Sequence, residues 1–228
     1  AVSTLRGHSP SEAAKCVAPL QAEHAEGRWS TIVPTVTRDQ LATAVVILEY
    51  LDQVGLGPRA DHRDVAAALD EVAMACSPHR DLAVNPGKML AIALADTNPI
   101  VWGGSSLAAR AARRVSETIR RASGRSAIAG DAEHLLPLIE AARPRDVFDD
   151  PFAEGGADPR PVLLVFDDGA DDPVVREDRG RLQAAAAEHG VRVETLTTEA
   201  DTEVARYASL VLNGRYSAEY LRLGLVDD

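Results

Sequence analysis

Glu117 is set among Arg110, Arg113, Arg114 and Arg121, and a carboxylate surrounded by guanidinium groups is a candidate for acid–base work. The plainer reading is a surface glutamate with arginine partners three and four residues away, which becomes a site only if another domain or subunit covers that face. His134, in Gly130-Asp-Ala-Glu-His-Leu135, follows a short strand expected to end near Ala129, where a histidine can serve as acid or base. Its plainer role is a helix-start histidine bonded to Asp131 or to backbone. Gly103, Gly104, Ser105 and Ser106 stand just before the helix that carries Glu117. They could cradle a sugar oxygen or a phosphate on unpaired N–H groups at the positive helix end, or could simply turn and cap the chain.

The elements that must position these groups read clearly. Ile100 to Trp102 form an apolar run, the two glycines permit a sharp turn, and a helix over 106–123 follows. At about 100° per residue, Leu107, Ala108, Ala111, Ala112, Val115, Ile119 and Ala122 share one face of that helix. Ser106, Arg110, Arg113, Glu117 and Arg121 share the opposite one. Upstream, the periodicity predicts helices over 11–24, from 37 to Val54, over 60–75, and from Asn85-Pro86 through Leu94, with an extended stretch over 27–34. From residue 99 strands and helices alternate: strand 126–129, helix 133–142, a loop through Asp149-Asp150-Pro151, strand 162–166, helix 173–189, strand 191–196, and helical stretches 202–212 and 217–223. Continuous apolarity in Val162-Leu-Leu-Val-Phe166 marks a strand covered on both faces. The expected fold is a three-layer α/β/α sandwich with a parallel, doubly wound, flavodoxin-type sheet, whose ligands sit beyond the carboxyl ends of the strands. Residues 1–34 are expected as a lead-in, 35–80 as a helical connector and 81–228 as the α/β domain.

The 228 residues carry a net charge of −11 and 46% hydrophobic residues, enough for a substantial core but a poor match to nucleic acid, whose phosphates need clustered cations. Without an 18-residue apolar run or a leader-like start, no membrane contact is expected and the chain is placed in the cytoplasm. Cys16 and Cys76 are expected as reduced thiols. No P-loop, nucleophile elbow or zinc motif occurs, and neither a metal nor a cofactor is expected. Asp167, Asp168, Asp171 and Asp172 follow the strongest strand and read as capping acids of the next helix rather than an ion site.

Three passages together resemble the C-terminal domain of the bifunctional phosphoglucose/phosphomannose isomerases of the sugar isomerase (SIS) fold group. They are Asn85-Pro-Gly-Lys-Met-Leu-Ala91, then Pro99-Ile-Val-Trp-Gly103 through Arg110 to Glu117, then Glu133-His134. Tyr207-Ala-Ser-Leu-Val211 through Tyr216 to Tyr220-Leu-Arg-Leu-Gly224 resembles that family's last long helix. The sequence departs from the pattern at Ser116, where the family has asparagine, and at His134, which lacks flanking asparagines. The resemblance implies aldose–ketose isomerisation of a hexose 6-phosphate, glucose or mannose 6-phosphate to fructose 6-phosphate. It makes Glu117 the base that moves a proton between C1 and C2 through an enediol, and His134 the group that opens the sugar ring. Gly103 to Ser106 and Arg110 would contact substrate. The resemblance also implies a homodimer in which the histidine comes from the partner subunit, and a phosphate held mainly by a preceding N-terminal SIS domain, without which these residues alone are expected to be inactive. The alternative is a non-catalytic sugar-phosphate-binding or dimerisation module of the same fold.

Overall fold

The computed structural model describes residues 40–57, 61–142 and 159–224, and the chain divides into two compact units, Ala1–His62 and Arg63–Asp228. The helix read over 11–24, the stretch 27–34 and the loop through Asp149 lie outside the described residues. Within the first unit, α1 (Gln40–Gln53) stops where Gly55 takes a φ of 70°, a left-handed conformation that suits glycine.

The second unit carries α2 (His62–Ala75), a 3₁₀ turn at Leu82–Val84, α3 (Pro86–Leu94), β1 (Thr97–Gly103), α4 (Ser106–Ser123), β2 (Ile128–Ala129), α5 (Ala132–Glu140), β3 (Arg160–Asp167), α6 (Pro173–Glu188), β4 (Arg192–Thr197) and α7 (Glu203–Gly224). Side chains written into the sequence start these helices. Asn85 Oδ1 accepts from the Lys88 N–H at 3.0 Å, Ser105 Oγ from Ala108 at 3.0 Å, Asp131 Oδ1 from His134 at 3.1 Å and Asp172 Oδ1 from Val174 at 2.7 Å. Pro86 and Pro173 occupy first-turn positions, where a missing N–H costs nothing.

The four strands are all parallel in the order β2-β1-β3-β4, with Ile100 beside Ile128 on one side and Leu163 on the other. This is the expected α/β/α sandwich. On one face Val101, Val162, Leu164 and Phe166 pack under α3, α4 and α7; on the other Ile100, Trp102, Leu163 and Val165 pack under α5 and α6. Alternate residues of β3 thus feed opposite layers, which is why its sequence is apolar throughout. The chain leaves β1 toward β2 through α4 and leaves β3 toward β4 through α6, so the direction of winding reverses between β1 and β3. The α2 end is tied to α7 by Tyr220, whose hydroxyl donates to the Cys76 carbonyl at 2.6 Å. Cys76 is a free, buried thiol.

One expectation is corrected. The helical stretches read over 202–212 and 217–223 are the single helix α7, which runs straight through Gly214. Gly214 is there for packing: a Cβ at this position would sit 2.6 Å from Val115 Cγ1, and its absence lets α7 approach α4.

Candidate functional site

On α4 the polar face forms a groove of about 580 Å³, lined by Ser106, Ala109, Arg110, Arg113, Arg114 and Glu117, with Tyr207 contributed by α7. Glu117 Oε2 lies 3.4 Å from Arg114 Nη1 and 3.7 Å from Arg121 Nη2, and the Glu117 side chain is 40% exposed. Arg110 and Arg113 make no hydrogen bond or ion pair among the described residues. The helical periodicity therefore placed Ser106, Arg110, Arg113 and Glu117 together correctly. Tyr207 carried no signal, because only the long-range packing of α7 on α4 brings it there.

The turn before α4 is occupied by the protein itself. Ser105 Oγ donates to Asp168 Oδ2 while accepting from the Ala108 N–H, so both functions of the hydroxyl are used. Asp168 stands at the carboxyl end of β3, across the point where the winding reverses, and its carbonyl accepts from Arg206 at 3.2 Å. A Cβ on Gly103 would meet the Ala108 backbone, and one on Gly104 would meet Val175 and Trp102, so these glycines serve close packing. The other carboxylates of this segment are also committed. Burial raises the pKa of Asp167, but the two bonds from Arg179 at 2.7 and 2.8 Å and one from the Gly169 N–H outweigh it and hold the carboxyl below its usual range. Asp171 pairs with Arg176 at 2.8 Å. Among the described residues no group of three or more His, Cys, Asp or Glu side chains is placed to hold a metal ion, and no helix is long and apolar enough to cross a membrane.

His134 begins α5, in the layer on the far face of the sheet from α4. Its ring Nδ1 contacts Asp131 Oδ1, and its side chain is 79% exposed. Hydrogen bonds from the His134 ring and amide, with Arg113 acting at longer range, hold the Asp131 carboxyl below its usual value. No hydrogen bond or ion pair joins His134 to Glu117 within the described chain.

Residues 83–224 match the family model of the bacterial phospho-glucose isomerase C-terminal SIS domain. Among solved structures, a glucose-6-phosphate isomerase like protein from Thermus thermophilus superposes with a TM-score of 0.58 at 16% sequence identity, over 87% of this chain and 63% of that one. The likeness to that protein is one of fold, and this chain spans less than two thirds of its length. No curated protein sequence matches this chain.

Proposed function

This chain belongs to the family of bacterial phospho-glucose isomerase C-terminal SIS domains, and from that premise we propose that it is the C-terminal module of a hexose 6-phosphate aldose–ketose isomerase. The observation that carries the proposal is Glu117, part-buried in a groove and flanked by Arg114 and Arg121. A carboxylate oxygen placed there can accept a proton. The C2–H bond of the open-chain aldose breaks, its proton passes to the Glu117 carboxylate, its electron pair forms the C1–C2 double bond, and O1 takes up a proton. Glu117 then returns the proton to C1 as O2–H gives up its own, leaving a C2 carbonyl. Negative charge builds on the enediolate oxygens, where the neighbouring guanidinium groups lower its cost. His134, with its ring held by Asp131, opens the sugar ring from a partner subunit. A preceding SIS domain covers the groove, and a charged substrate that does not cross membranes unaided fits a cytoplasmic enzyme.

Within one chain Glu117 is ion-paired and the groove is open, which favours the second reading, a sugar-phosphate-binding or dimerisation module. Glu117→Gln in the protein carrying both domains separates the two. Glutamine keeps the shape but cannot accept the proton, so kcat for fructose 6-phosphate formation is expected to fall by roughly 10²- to 10⁴-fold with substrate affinity nearly unchanged. A kcat near that of the wild type ends the isomerase reading of this helix.

A further inference from the structure

From the same groove we infer that this chain carries its own phosphoryl subsite, in which Arg110 and Arg113 grip the dianionic phosphate of the sugar while Glu117 reaches C1 and C2. The inference rests on the reading of Glu117 as proton acceptor for its orientation, and on four observations for its location. The protein carries a net charge of −11, yet among the described residues the groove lining holds Arg110, Arg113 and Arg114 and one carboxylate, Glu117, with which Arg121 also pairs. Arg114 and Arg121 are engaged with Glu117, whereas Arg110 and Arg113 have no hydrogen-bond or ion-pair partner among the described residues, and of the two Arg113 acts on Asp131 at longer range. Two forked guanidinium groups one turn apart match a tetrahedral dianion, and Ser106 and Tyr207 also line the groove.

The positive end of α4, the other natural place for an anion, is already taken by the Asp168 carboxylate on Ser105. An incoming phosphate there would meet like charge, so the arginines one and two turns further along are the better anchor. Spacing agrees: at a rise of about 1.5 Å per residue, Arg113 and Arg110 lie roughly 6 and 10 Å along the axis from Glu117. That is the scale of the reach from C2 of a hexose to a phosphoryl group on C6. The family resemblance puts the main phosphate anchor in a preceding domain; the groove assigns a second anchor to these residues.

The test is binding to the 228-residue chain by titration calorimetry, with fructose 6-phosphate, inorganic phosphate and neutral fructose as probes. Both phosphates are expected to bind with an affinity that weakens as salt rises, and fructose to show none. Arg110→Gln with Arg113→Gln should weaken both phosphates by about tenfold or more, while an unchanged denaturant midpoint shows that these exposed helix positions still fold; either single variant serves if the double does not. Glu117→Gln should leave phosphate binding intact or tighter, so a failure of the isomerase reading leaves this result standing. Unchanged affinity in the arginine variant, or no binding of either phosphate by the wild-type chain, overturns the subsite.

Discussion

Ser116 shows how one residue of α4 divides its duties from those of its neighbour Glu117. It is 1% exposed, and its hydroxyl has no hydrogen-bond partner among the described residues. A buried hydroxyl that has left water and found nothing in return is a net cost, and serine is also a poorer helix former than alanine. Ser116→Ala is therefore expected to raise stability by about 0.5 to 1 kcal/mol, read as a higher urea midpoint with an unchanged slope. A loss of stability would mean that the hydroxyl does find a partner. Glu117, one position on, turns about 100° away into the groove, so the substitution should leave the electrostatics of Arg114 and Arg121 as they are.

At the scale of elements, α4 packs on α7, and Gly214 is where α7 comes against Val115 of α4. A Cβ there would stand 2.6 Å from Val115 Cγ1 and 3.0 Å from Val115 Cβ. Gly214→Ala would gain up to about 1 kcal/mol in helix propensity but is expected to lose more by overpacking, about 1–3 kcal/mol, for a net destabilisation. Adding Val115→Ala should return part of the loss, and strict additivity of the two changes in a double-mutant cycle would refute the packing account. The same seam shows what the sequence can and cannot disclose. The apolar run 162–166, the capping residues Asn85, Ser105 and Asp172, and the face shared by Arg110, Arg113 and Glu117 are local patterns, and each could be read directly. The continuity of α7 through Gly214 was not legible, because the reason for a glycine there lies in Val115, about a hundred residues earlier. Tyr207 in the groove and Asp168 on Ser105 were illegible for the same cause, since each depends on a contact between distant segments.

For the whole molecule, the sheet sets the constraint. Glu117 rides in the α4 layer and His134 starts a helix packed in the opposite layer, and no hydrogen bond or ion pair joins them among the described residues. On the proposed reading a second copy supplies His134 to the Glu117 site, and a two-fold dimer does this twice by symmetry. The prediction is subunit complementation in the protein carrying both domains. Glu117→Gln and His134→Ala homodimers should each be nearly inactive on ring-closed substrate, because each site lacks one group. Mixed after dissociation and reassociation, random pairing gives half hybrids, each with one site intact, so activity should recover to about a quarter of the wild-type value. Native mass spectrometry counts the hybrids independently of the assay. Hybrids formed in full yet without activity would show that both groups serve the same subunit's site, whereas a fully active His134→Ala homodimer would show that His134 has no part in the chemistry. A purely monomeric mass at micromolar concentration would remove the shared site altogether.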